Sequence, residues 1–234
     1  MLRKIFNFFG YTFSRSHKSV SLDEIIKLRL KFHPVEILLD VGANKGKFTE
    51  YFIDEFQQYY LFEPNPILFK KLKNSFKHKK FQIFDFGLGK NNEKIKLNLT
   101  NDSASSLSSI KKQTSELKKN FRNTEIIDTF DIEIKKLSNF LDTLNLRNSK
   151  IFLKIDTQGN DFETLIGLGK YVSKIKFLKI EMPCIKLYET TYNHWDILEF
   201  LKQNNFNPVH FENISRKKNG QLIEYDCFFE KNDI

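Results

Sequence analysis

At 234 residues, with 40% apolar side chains, 25 phenylalanines, only 9 glycines and 5 prolines, the chain suits one large globular α/β domain and excludes a disordered or collagen-like polymer. The formal net charge of +9 comes from 38 basic and 29 acidic residues interleaved along most of the length, a solvated surface with no recognition motif beside it, so no nucleic-acid partner is expected. Cys184 and Cys227 are the only cysteines and have neither the number nor the spacing of a disulfide framework or zinc site, which makes a reducing cytoplasm the default location.

The first twenty residues, MLRKIFNFFGYTFSRSHKSV, carry Arg3, Lys4, Arg15 and Lys18 among Leu2, Ile5, Phe6, Phe8, Phe9 and Phe13. Asn7, Gly10 and Thr12 interrupt the apolar run, which is too short and broken to span a membrane, and no small-residue cleavage site follows it. Two readings stay open. The segment either lies at an anionic lipid surface, making the protein peripheral to the inner face of a membrane, or forms a helix that packs its phenylalanines on the domain. Residues 1–33 are accordingly read as a basic, aromatic, helical extension of a single domain spanning 34–234.

Strand-like and helix-like segments then alternate. EILLDV is a strand, KFTEYFIDEF a helix, YYLFEP a strand, NPILFKKLKNSF a helix and FQIFDFGLG a third strand. Residues 90–130 are polar, serine-rich and without a steady period, the pattern of a surface excursion or a lid. FDIEIKKLSNFLDTLNL supplies a short strand and a helix, KIFLKID a buried strand, DFETLIGLGKYVS a helix, IKFLKIEM another buried strand and HWDILEFLKQNNF a helix. The stretches NPVHFENI and IEYDCFFEK close the chain as an antiparallel pair, so a mostly parallel sheet flanked by helices is predicted.

In a doubly wound sheet a ligand sits beyond the carboxyl ends of the strands, where glycine lets the backbone approach it. Gly42 and Gly46 in DVGANKG fit that need, with Ala43 small between them. The spacing is not the dinucleotide fingerprint G-x-G-x-x-G, which disfavours a nicotinamide oxidoreductase, and no Walker lysine is followed by Ser or Thr. Glu63, ending the second predicted strand, is placed to accept both hydroxyls of a ribose; turn and carboxylate together indicate a nucleoside cofactor.

DVGANKGKFT, FEPNP, SASSL and above all LKIDTQGNDFETLIGL followed by KIEM resemble the FkbM family of S-adenosylmethionine-dependent methyltransferases, in order from about residue 36 to the DCFF stretch near residue 229. The resemblance implies a Rossmann-like class I methyltransferase fold, a seven-stranded mostly parallel sheet with an antiparallel C-terminal hairpin strand and helices on both faces. It also implies S-adenosylmethionine as cofactor, with Asp40, Gly42, Ala43, Asn44 and Gly46 around its methionine part, Glu63 on the ribose, and Asp85 with Phe86 flanking the adenine. The family more often has Asn and Ala around the FDFGL stretch, where this chain has Asp85 and Gly87.

Methyl transfer to oxygen depends mostly on alignment, and a hydroxyl acceptor needs a base or a metal. Asp156 ends a buried strand on the same edge as Asp40 and Glu63 and is the first candidate for that base; a helix-capping or loop-pinning role is the alternative. Lys154 faces the same side two residues earlier, where an ion pair is expected, and Glu181 is the matching carboxylate on the next strand. Asp156, Asp161 and Glu181 together form a candidate Mg²⁺ set. His194 is read either as a base near the acceptor or as a structural helix-start histidine, and Ser105 and Ser106, raised by the resemblance, as acceptor-site or lid residues.

The expected activity is S-adenosylmethionine-dependent O-methyl transfer to a hydroxyl, of a sugar in a cell-surface glycan or glycolipid precursor. The alternatives are a small secondary metabolite as acceptor, or a non-catalytic module that holds a nucleoside or a partner.

Overall fold

The structure is a computed structural model that describes residues 20–101, 107–144, 146, 149–190 and 192–232. Its first helix, α1 (Leu22–Phe32), starts at a capping box: the Glu24 amide donates to the Ser21 hydroxyl, and the Ser21 amide donates to the Glu24 carboxylate. Leu22, Ile26 and Leu30 recur on one face, and that face is buried against Leu38, Phe52 and Phe228 of the domain. The expected extension is therefore helical over Leu22–Phe32, while the readings placed on residues 1–19 lie outside the described residues. Among the described residues no helix is long and apolar enough to cross a membrane.

Ten strands follow among the described residues: β1 (Ile37–Val41), β2 (Gln58–Phe62), β3 (Phe81–Phe84), β4 (Gly87–Gly89), β5 (Glu93–Thr100), β6 (Ile126–Lys136), β7 (Ile151–Ile155), β8 (Ile175–Pro183), β9 (Phe206–Arg216) and β10 (Leu222–Lys231). The helices between them are α2 (Lys47–Tyr51), α3 (Pro66–Ser75), α4 (Ser115–Asn120), α5 (Leu137–Leu141), α6 (Asp161–Gly167) and α7 (His194–Gln203), with a 3₁₀ turn at Gly169–Lys174.

Seven strands form one sheet in the order β3-β2-β1-β7-β8-β10-β9, and only β10 runs against its neighbours. β1 and β7 lie at its centre and are buried at every position, which is why both read as nearly continuous apolar runs. The strand order is that of a class I methyltransferase, as the resemblance implied.

Two sequence expectations are corrected. FQIFDFGLG is not one strand: β3 pairs with β2 as far as Phe84, and the chain then leaves the sheet. Phe86 turns into an aromatic cluster with Phe62, Phe84 and Phe140, and β4 pairs in parallel with β6 instead. Nor is the region 90–130 without elements: β5 and β6 pair antiparallel beside β4 as a separate three-stranded sheet. Ile95 and Leu97 of β5 oppose Ile132 and Phe130 of β6, and the apolar side chains of this pair form a small core of their own with Ile110.

Candidate active site

From β1 the sheet runs outward through β2 and β3, and from β7 it runs the other way. Beyond the carboxyl ends of these two strands, where a doubly wound sheet leaves its crevice, lies a cavity of about 460 Å³. The turn after β1 forms one wall. Gly42 has φ +76°, and a Cβ there would run into the Asp156 carbonyl oxygen, so only glycine lets the β1 turn pass the end of β7. Gly46 is also left-handed, at φ +78°, but a Cβ on it would meet Leu72 and Phe76 of the neighbouring helix region, which makes it a packing glycine.

The five expected turn residues thus divide. Gly42 and Asn44 line the cavity. Ala43 is core, and the amides of Gly42 and Ala43 both donate to the Phe62 carbonyl at 3.0 Å, tying the turn to β2. Asp40 is fully buried beneath it: the Thr49 hydroxyl donates to Oδ2 at 2.7 Å, and Oδ1 faces Lys154 Nζ at 3.2 Å as a charge contact without an aligned hydrogen bond.

Glu63 lines the same wall and is 6% exposed. The Asn44 amide donates to its Oε2 at 2.7 Å and the Asn65 amide to its Oε1 at 2.9 Å, so each oxygen keeps a lone pair for a ligand. Burial pushes its carboxyl up to about 7, although those two amides and Lys154 pull the other way. Pro64, Leu68, Gly87, Leu88 and Ile134 continue the wall as a slot with apolar sides.

Asp85 and Phe86 are not brought to this slot: Asp85 is exposed, and Phe86 is in the aromatic cluster with the Lys135 ammonium over its ring. Gly87 and Leu88, the next two residues, line it instead. His194 opens α7 with its ring beside Trp195 and is not among the lining residues; burial moves its imidazole below the ordinary value. Ser105 and Ser106 lie outside the described residues.

The opposite wall is built from side chains. Asp156 follows β7 with its side chain 42% exposed, and Glu181 on β8 and Glu224 on β10 face the same space. The expected Lys154 ion pair is present and shared: Nζ lies 3.2 Å from Asp40 and 3.7 Å from Asp156, and it donates to the Gly42 carbonyl at 2.7 Å. Lys154 is 5% exposed and outside the cavity lining, so it acts from behind the turn. Burial alone would drive its ammonium down, but Asp40 and Asp156 outweigh that and hold it above the usual lysine value. Burial would likewise raise Asp156, yet Lys154 and then Lys179 keep it below the ordinary carboxylate value. Glu181, with burial and the neighbouring Asp156 charge acting together, stands well above it, and Glu224 is pushed up to about 7 by the same two causes.

The Mg²⁺ set does not assemble. The Asp161 carboxylate accepts the Thr157 amide at 2.8 Å, the Thr157 hydroxyl at 3.0 Å and the Gly159 amide at 3.1 Å, which spends it on pinning the loop before α6. Gln158 Nε2, a donor, faces both other carboxyls, and among the described residues no three acidic, His or Cys side chains are arranged to hold a metal.

Several lining residues were missed from the sequence. Asn160 and Gln158 stand inside the quoted DTQGND block but carry no charge to single them out, and Leu97, Ile110, Phe121 and Arg122 come from the segment read as an excursion. Asn160 Nδ2 and the Thr164 hydroxyl both donate to the Leu88 carbonyl, at 3.1 and 2.9 Å, which fastens β4 against the loop that carries Gln158.

The Methyltransferase FkbM domain family matches residues 40–208 of the chain. No curated protein matches it in sequence. Among solved structures, a methyltransferase FkbM from Methylobacillus flagellatus KT is 14% identical at a TM-score of 0.49 over 84% of this chain, which spans only 43% of the length of that protein. A putative methyltransferase from Streptococcus mutans in complex with SAH is 13% identical, with a TM-score of 0.45, over 88% of this chain and 97% of its own. A 1,6-didemethyltoxoflavin-N1-methyltransferase from Burkholderia thailandensis is 12% identical, with a TM-score of 0.45, over 99% and 88%.

Proposed function

The chain belongs to the FkbM methyltransferase domain family, and we propose that it transfers the methyl group of S-adenosylmethionine to a hydroxyl of a sugar in a cell-surface glycan or glycolipid precursor. The observation that carries this reading is one cavity shared by a glycine turn, a buried glutamate with free lone pairs and an ionised aspartate. The residues fit a nucleoside: Gly42 and Asn44 line the cavity beside Glu63, which would take the ribose hydroxyls, and the Pro64, Leu68 and Leu88 slot would hold an apolar ring face.

When bound, S-adenosylmethionine supplies an electrophilic methyl on a positively charged sulfur. The protein's share is then alignment and proton management. Asp156, kept ionised by Lys154, would accept the proton of the attacking hydroxyl. Glu181 and Glu224, carboxyls whose values are raised, would hydrogen-bond further hydroxyls of a polyol, and the wall of Leu97, Ile110 and Ile134 would keep water from the transfer.

The sugar acceptor is supported by family likeness and by these polar groups, and the basic aromatic segment 1–20 supports contact with an anionic membrane face. The test is transfer of labelled methyl to a panel of glycan and glycolipid precursors and of small hydroxylated metabolites, with and without anionic liposomes. Transfer to the first group is expected. Transfer confined to the second would replace the acceptor class, and cofactor binding with no transfer would leave a nucleoside-holding module.

A further inference from the structure

Between the carboxyls of Asp156 and Glu181 sits a side chain that neither carries charge nor belongs to the expected catalytic set. Gln158 Nε2 donates to Asp156 Oδ1 at 3.0 Å and to Glu181 Oε2 at 3.2 Å, which uses both of its hydrogens. Its orientation is fixed from the other end by the Tyr188 hydroxyl, which donates to Oε1 at 2.9 Å and lies 3.2 Å from the Leu107 carbonyl. Tyr188 is buried with Leu117, Leu187 and Ile223, and so cannot follow a wandering glutamine. The Gln158 backbone is held too: φ is +52°, a left-handed value unusual for a residue with a Cβ, and its carbonyl accepts from the Ser109 hydroxyl.

Two carboxyls aimed at one ligand space commonly converge on a divalent cation, which needs oxygen donors on every side. Here an amide nitrogen stands between them, and the third carboxylate, Asp161, is committed to the Thr157 and Gly159 backbone. We propose that Gln158 is a positioning residue whose side-chain amide holds Asp156 and Glu181 toward the acceptor, taking the place between them that a divalent cation would take. Its chemical meaning rests on the methyl-transfer reading. Through Tyr188 and Ser109 the same residue couples the carboxyl pair to residues 107–109, so the cavity wall and the acid–base groups are set together.

The test is side-chain ¹⁵N–¹H spectroscopy of the full chain labelled in glutamine, with S-adenosylhomocysteine present. The Gln158 amide is assigned by its loss in Gln158→Leu or, should that variant not fold, by its loss in Gln158→Met, which keeps nearly the same length without an amide; Tyr188→Phe keeps the ring in its cluster. Expected are solvent exchange at least tenfold slower than for exposed Gln57, a shift moved by each of Asp156→Asn, Glu181→Gln and Tyr188→Phe, and no broadening by ~1 mM Mn²⁺. Exchange as fast as that of Gln57, indifference to the three substitutions, or Mn²⁺ broadening that Asp156→Asn removes would each overturn the proposal. Failure of the protein to bind S-adenosylhomocysteine would instead sink the cofactor reading, and the amide measurement would still be made on the unliganded chain.

Discussion

The two walls of the cavity are made in different ways. The β1–β2 wall is written in backbone: the left-handed Gly42, two amides on the Phe62 carbonyl and two more on Glu63 hold it within one short piece of chain. The β7–β8–β10 wall is written in side chains, with Asp156, Gln158, Glu181 and Glu224 meeting from segments far apart in sequence. A backbone wall suits the part of a ligand that never changes, and a side-chain wall suits the part where protons move. Lys154 joins the two, since its ammonium reaches the Gly42 carbonyl, Asp40 and Asp156 together.

The division is broken most sharply at Asp156. Asp156→Asn should lower methyl transfer by about 10²–10⁴-fold while S-adenosylhomocysteine affinity stays within about threefold; comparable loss in both would merge the walls. Lys154→Met attacks the joint and leaves the fully buried Asp40 without its cation, so urea unfolding should register a loss of about 3–5 kcal/mol. A loss under about 1 kcal/mol would mean the ion pair does not hold the turn.

The backbone wall has its own signature in pH. A carboxyl pushed up to about 7 is protonated below that value and then loses the acceptor capacity a ribose needs. S-adenosylhomocysteine affinity should therefore fall about tenfold per unit below pH 7, and Glu63→Gln should flatten that dependence at a uniformly weaker level. Titrations at pH 5.5, 6.5 and 8 decide it. The smallest effect belongs to Asp85→Ala: an exposed side chain outside the cavity should change affinity by less than about twofold, and a tenfold loss would return it to the adenine.

The backbone wall was the legible one. A turn that needs glycine and a carboxylate at the end of the next strand are local constraints, and DVGANKG and FEPNP spell them out. KIFLKID was equally plain, because a strand buried on both faces leaves a continuous apolar run ending at Asp156. The second sheet was missed for the opposite reason. Ile95, Leu97 and Leu99 do alternate with polar residues, but the partner strand lies beyond the serine-rich stretch and most of its face is exposed, so the period is short and the pairing non-local. FQIFDFGLG misled because Phe84 and Phe86 keep a strand's period across the break, one ending β3 and the other packing into the aromatic cluster. Gln158 left no signal of its own: its importance comes from Tyr188 and Glu181, whose approach only the fold decides.

Calorimetric titration of S-adenosylhomocysteine into wild type, Glu63→Ala and Asp156→Asn decides whether the backbone wall holds the nucleoside and the side-chain wall does not. Wild type should bind in the micromolar range, Glu63→Ala more than about tenfold more weakly, and Asp156→Asn nearly as wild type does. A folded wild type that does not bind, or a Glu63→Ala variant that binds as wild type does, would contradict that division.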